Sequence, residues 1–434
     1  MKLFIPLIYS LVIGVLLGLS STLAAAEIGI AEAYRDALDN DPQLQQADAL
    51  RFAEREAQPQ ARALALPSLN ARGTIDRNFQ DRGPNTSSFT SDSVSIALNQ
   101  PLYDRGTQVR RRQADITVDR ADIDFQDSSQ NLVLRVASAY FEVLAARDDV
   151  IFAQADKEAI ERQLEQARRR FEVGLVTITD VQEAQARFDQ SLSTEIAALN
   201  ALANRREALA EITGHYYENL QPLREDIPLN PPDPADPDYW VQQALAHNPS
   251  LNSARFGAEL ARENIALQRS GHHPTLDLNA SYSDSDSGTI PTRGGRVGLE
   301  LTIPLYQGGA VTSRTREAAF RHEAAKQQRE AVQRAVTRQV REAYRGVEAS
   351  ISLVRALDQA RVSSRSSLDA TQAGFDVGTR TIVEVLNSQR DLLRAERDYA
   401  QSRYSYLLNH LSLEEAIGEL NEADLDHIQA LLVH

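Results

Sequence analysis

The sequence predicts a mainly α-helical chain with membrane β-strands. Long antiparallel helical hairpins form an α-barrel, and four strands per chain join a β-barrel shared between copies. Three observations predict it. The N-terminus has the pattern of an export leader. The rest of the chain is one unit written twice. Each copy of that unit sets two alternating, strand-like runs beside an unbroken helical stretch of more than 60 residues.

Lys2 precedes an apolar run, Leu3 to Leu19, which ends in the small residues Ala24, Ala25 and Ala26. A basic start, a short apolar stretch and an A-x-A site make a secretory signal peptide over 1–26, cut before Glu27. Pro6 and the small-residue end argue against a retained anchor. The chain has no Cys, so no N-terminal Cys carries a lipid and no disulfide braces the exported fold. Past Leu19 no apolar run approaches the roughly 20 residues of a spanning helix. That leaves a soluble periplasmic protein, or one held in the outer membrane by strands.

Lys and Arg number 46 against 61 Asp and Glu, a net charge of −15; loss of Lys2 with the leader makes it −16. This balance argues against nucleic acid or anionic lipid headgroups as partners.

The duplication is read from paired segments. Ala37-Leu38-Asp39-Asn40-Asp41-Pro42 matches Ala244-Leu245-Ala246-His247-Asn248-Pro249. Gln100-Pro101-Leu102-Tyr103 matches Ile303-Pro304-Leu305-Tyr306, and Phe171-Glu172-Val173-Gly174 matches Phe375-Asp376-Val377-Gly378. The offset stays near 205 residues throughout. A period that long is a duplication, not a solenoid. The predicted units are 27–220 and 238–420, joined by a connector over 221–237 and followed by a tail over 421–434.

Each unit opens on an Ala-, Glu-, Arg- and Gln-rich helical segment (about 30–62 and 238–270), ended by Pro67 or Pro274. Two strands follow in each half, about 67–80 with 92–103 and 274–284 with 294–306. Ser93–Asn99 and Arg296–Ile303 alternate polar and apolar residues, the period of a strand with one apolar face. Polar loops, Gln80–Asp92 and Ser283–Gly295, join each pair. Alone, such runs also fit a small soluble hairpin, because barrel strands give a weak signal.

The helices decide between those readings. Residues 107–173 contain neither Gly nor Pro, and 310–373 contain only Gly346. Each stretch can form a helix of roughly 100 Å. Gly174 and Gly378 break the runs, and a second helix returns in each half, giving hairpins over about 105–214 and 308–418. Helices this long imply a coiled coil or helical array. The connector holds six prolines between Gln221 and Asp238 and reads as extended chain.

Four membrane strands cannot close alone. Open edges in lipid leave N–H and C=O groups unpaired at several kcal/mol each. Two, three or four copies would supply about 8, 12 or 16 strands, of which only the larger sets leave an aqueous lumen. The sequence does not count the copies.

At the hairpin tips the residues become recognisable. Phe171-Glu172-Val173-Gly174-Leu175-Val176-Thr177-Ile178-Thr179-Asp180-Val181-Gln182 resembles the first tip of TolC-type outer membrane efflux proteins, the channels that also serve type I secretion. Ala373-Gly374-Phe375-Asp376-Val377-Gly378-Thr379-Arg380-Thr381-Ile382-Val383-Glu384 resembles the second. The resemblance implies a homotrimer with a 12-stranded β-barrel and a 12-helix periplasmic tunnel. It implies an exit duct in the outer membrane for drugs, small molecules or proteins, opened at its tip by a periplasmic adaptor and an inner-membrane transporter of ABC or RND type. The sequence shows no Ser-His-Asp pattern, no phosphate loop and no metal spacing, so no catalysis, cofactor or metal site is expected.

The resemblance also assigns roles to residues. Arg380 would donate to Thr179 and Asp180 as a latch between neighbouring hairpins. Phe375 stands where the family often has Tyr, so one hydroxyl is missing from that latch. Glu384 would line an inner constriction, with Asn387 where a second Asp is often found. Val173, Gly174, Leu175, Val377, Gly378 and Thr379 would meet the adaptor. From spacing alone, Thr177–Asp180 and Thr381–Glu384 read as helix capping boxes, and both roles can hold together. Tyr140, Phe141 and Tyr344 are expected to pack between helices. Tyr103 and Tyr306 are expected at the membrane interface, and His272-His273 in a solvated turn. The rival reading is a soluble periplasmic coiled-coil adaptor or structural protein.

Overall fold

A computed structural model describes residues 27–83, 85–287 and 290–433. The expected leader lies outside the described residues. The chain opens on α1 (Ile30–Asn40), α2 (Pro42–Arg55) and α3 (Ala57–Ala63), where the sequence suggests one helical segment. The break at Asp41-Pro42 has a local cause. Pro42 has no N–H to continue α1, and Asp41 accepts from the Leu44 N–H at 2.7 Å to cap α2.

Next come β1 (Ser68–Arg82) and β2 (Asn85–Tyr103), with Arg82 opposite Asn85. The expected loop Gln80–Asp92 is therefore mostly strand. Its polar, Thr- and Ser-rich residues still favour the ladder: Arg77 donates to Thr90 and Ser88, and Asn78 to Ser91. The apolar alternation stops before the ladder does.

α4 (Arg105–Glu172) spans 68 residues, with Asp104 accepting from Gly106 and Thr107 at its start. α5 (Ile178–Thr213) runs back along it. After the connector come α6 (Pro237–His247), α7 (Pro249–Arg269), β3 (Thr275–Asp286), β4 (Pro291–Thr302), α8 (Ala310–Asp376), α9 (Ile382–Ile417) and α10 (Glu422–Gln429). The expected tail over 421–434 contains α10: Asn421 and Asp424 form a capping box that starts a helix there. β4 stops at Thr302, so Tyr306 lies past the strand and is exposed. Pro304 and the positive φ of Gly308 and Gly309 turn the chain there.

The sheet runs β1-β2-β3-β4, antiparallel throughout. Residues opposite one another in an antiparallel ladder share a face. The register aligns Leu69, Ala71 and Gly73 of β1 with Leu98, Ile96 and Val94 of β2, and Ile75 follows on the same face, opposite Asp92. It continues to Leu278, Ala280 and Tyr282 of β3, then to Leu301, Leu299 and Val297 of β4. These apolar side chains form one band across all four strands, and most of them are exposed. The other face is polar: Asn99 donates to Asn279, and Asn279 to Glu300. β1 and β4 each leave an edge unpaired.

The long helices stand side by side. α4 packs on α5 and α9, and α8 on α9, so the lower row reads α5-α4-α9-α8. Nearer the sheet, α2, α4, α7 and α8 form a matching row. The main core lies at mid-length, where Leu132 to Val150, Val336 to Val354 and Tyr399 to Ile417 meet α1, α6 and α10. Phe141 stacks on Tyr404 there, 5.5 Å between ring centroids. Tyr140 and Phe141 are buried as the sequence suggests, and so is Tyr344. A fully buried side chain of this size contributes about 1.5–3 kcal/mol, so this belt outweighs any exposed polar pair elsewhere.

The Pro-rich connector is extended but not loose. The Tyr140 hydroxyl donates to the Gln221 and Ile28 carbonyls, and Arg403 donates to those of Arg224 and Glu225. Leu220, Leu223 and Leu432 join the core. The connector straps the two halves at mid-height.

Candidate functional site: the paired hairpin tips

Both tips are built alike. α4 ends at Glu172, and Gly174 takes φ +75°; α8 ends at Asp376, and Gly378 takes φ +77°. These left-handed positions suit Gly. The Leu175 N–H donates to the Arg170 carbonyl at 2.9 Å, and the Thr379 N–H to that of Gly374 at 2.8 Å, closing each last turn. Val173, Leu175 and Val377 are left 69%, 73% and 75% exposed. Each tip thus holds apolar side chains out to solvent.

Each returning helix starts on a capping box, Thr177 with Asp180 and Thr381 with Glu384. The Asp180 carboxyl is held below its ordinary range by the Thr177 N–H, then by the Thr177 hydroxyl. The Glu384 carboxyl is likewise lowered, to about 2. The Thr381 N–H at 2.7 Å leads, with Arg380 at 2.6 Å and the Thr381 hydroxyl adding to it. Both groups are carboxylates throughout the periplasmic range.

The expected donation from Arg380 to Thr179 and Asp180 is not made within the protomer. Arg380 pairs with Glu384, one turn along the same helix. That i,i+4 geometry needs no second element to be held in place. Thr179 instead shares a hydrogen bond with Thr177 at 2.5 Å. The tips do meet. Asp180, Arg170 and Arg187 line a cleft of about 240 Å³ together with Ile382 and Val383 of the second hairpin. Phe375 bridges from the other side, with the Arg170 guanidinium 5.6 Å from its ring centroid. Arg170 was not singled out from the sequence. Its signal was the run Arg168-Arg169-Arg170, in the last turn before the Val-Gly break.

Asn387 lies exposed one turn beyond Glu384 on α9. Among the described residues no helix is long and apolar enough to cross a membrane.

The chain matches the family model described as "Outer membrane efflux protein" in two segments, residues 33–215 and 240–419. It is 41% identical to the outer membrane protein TolC of Vibrio cholerae serotype O1, covering 99% of this chain and 98% of the relative. It is 32% identical to the alkaline protease secretion protein AprF of Pseudomonas aeruginosa, over 94% and 88% of the two chains. A crystal structure of CusC superposes with a TM-score of 0.77 at 18% identity, covering 90% of this chain and 92% of that one; this last likeness concerns the fold.

Proposed function

Because the chain belongs to the outer membrane efflux protein family, we infer that it is an outer-membrane exit duct serving efflux and type I secretion. The observation that carries this reading is the sheet register. It places Leu69, Ile96, Leu278 and Leu299 on one exposed face of four strands with both edges open. A soluble sheet would bury that face. A barrel in lipid turns it outward and closes the edges with further copies. The rival reading as a soluble adaptor gives this band no use.

Transport through the duct is passive. Three copies supply 12 strands, and the α5-α4-α9-α8 rows form the tunnel below. A periplasmic adaptor and an inner-membrane transporter of ABC or RND type dock from beneath. Val173, Gly174, Leu175, Val377, Gly378 and Thr379 are the adaptor-facing tips, a role supported by their exposure. Thr179, Asp180, Phe375 and Arg380 hold the tips closed. Glu384 and Asn387 line the constriction.

The test is extraction followed by reconstitution. The protein should leave the outer-membrane fraction only with detergent and give step-like, cation-selective conductance in planar bilayers. Detergent-free solubility with no conductance would refute the duct.

A further inference from the structure

Ring closure leaves two flanks of each protomer to be covered, α2 with α5 on one side and α8 on the other. The α8 flank carries a stripe of arginines, Arg334, Arg338, Arg341 and Arg345, along a shallow groove of about 430 Å³. At 100° per residue the stripe is turned about 80–140° from Gly346, where Asn409 of α9 packs, so it points to the side of α8 turned from α9. Glu330 and Glu342 offset Arg334 and Arg338 along the same helix, and Asp238 offsets Arg341. Among the described residues Arg345 has no ion pair or side-chain hydrogen bond.

The opposite flank carries a notch of about 480 Å³ where α2, α4 and α5 meet. Asp41, Glu142 and Glu211 line it. Arg135 is bound to Asp41, and Arg205 to Glu142, whereas among the described residues Glu211 has no ion pair or side-chain hydrogen bond.

The two features stand at one height. Tyr404 of α9 bonds Asp148 of α4 at 2.7 Å, and Asn409, further along α9, reaches Gly346 of α8. Counting along these antiparallel helices sets Arg334–Arg345 level with Leu134–Glu142, the α4 stretch in the notch, to within about one turn, ~5 Å.

We propose that the α8 arginine stripe of one copy seats in the acidic notch of the next, fixing the axial register of neighbouring subunits. This rests on the duct reading, since only a ring brings the two flanks together. Exposed pairs are individually weak, but a row of them repeated at every interface discriminates against a slipped register, in which like charges meet.

The native chain has no Cys, so an introduced pair reports only on itself. Arg338→Cys combined with Glu211→Cys should oxidise to a covalent ladder on denaturing gels that ends at the closed oligomer, while either substitution alone gives monomer. Independently, Arg338→Glu with Arg345→Glu should lower the temperature at which the detergent-extracted oligomer dissociates, and Glu211→Arg added to that variant should restore it. An oligomeric protein with neither cross-link nor restoration overturns the register contact and leaves the duct standing. A wild-type protein that is monomeric and soluble without detergent overturns both.

Discussion

Arg170, in the last turn of the first long helix, lies over the ring of Phe375, in the last turn of the second, at 5.6 Å. This contact joins the two tips of one protomer across the cleft that Asp180 lines. An exposed cation–π contact is worth about 0.5–1 kcal/mol, little beside the mid-height core. On the gating proposed above, the tips part while the belt above them stays packed. Phe375→Ala should raise the open probability about two- to fivefold per protomer in bilayer recordings. Phe375→Tyr, which keeps the ring, should leave it near wild type or lower. An unchanged Ala variant would remove the contact from the gate.

In the constriction proposed above, Glu384 would supply an acid-resistant charge. Its carboxyl falls from the ordinary 4.5 to about 2. A lowered folded value means that the capping stabilisation is present above the unfolded value and is lost as pH falls through about 2. Cation selectivity, read as reversal potential, should therefore persist down to about pH 3 and then collapse. A loss centred near pH 4.5 would show that the carboxyl is not held. Glu384→Gln should weaken selectivity at every pH.

Glu414 carries the opposite sign. Burial, then Asp424 and Glu419, raise its carboxyl to about 7. A raised folded value in an acid penalises the charged form, so the penalty is full above about 7 and fades as pH falls to the ordinary 4.5. Glu414→Gln should stabilise the fold at pH 8 by on the order of 1 kcal/mol after allowance for partial exposure, read as a higher melting temperature. At pH 4.5 it should change nothing. Equal effects at both values would exclude titration as the cause.

Gly418 ends α9 at φ +87°, and a Cβ there would lie 2.7 Å from the His247 carbonyl oxygen and 2.9 Å from the Asn248 Cα. Its own carbonyl accepts from buried Gln130 at 2.6 Å. Backbone angle and close approach act together, so Gly418→Ala should cost about 2 kcal/mol or more. Thermal unfolding of the detergent-solubilised protein measures it. Gly378→Ala, with the same sign of φ but open space around it, should cost less.

The sequence by itself determined the elements whose signal is local or repeated. The long helices over Arg105–Glu172 and Ala310–Asp376 follow from an absence of breakers, and the tips from Gly174, Gly378 and two capping boxes. Pairing at a distance of three residues needs nothing from the rest of the chain. The apolar alternation of Val94, Ile96 and Leu98 was legible too, but not the length of the strands. A ladder continues past the lipid, where alternation carries no advantage, so β2 begins at Asn85 rather than near Asp92.

Only the tertiary structure decided which residues meet across elements. The register that joins Ile96 to Tyr282 merges two half-bands into one apolar surface. The choice of Arg380 between Asp180 and Glu384 turned on geometry: its helical neighbour is always within reach, whereas the other hairpin has to be held there. Arg170 reaches Phe375, and Arg403 straps the connector, through contacts between segments about 180 to 205 residues apart. No local pattern encodes such contacts, because packing between distant segments fixes them.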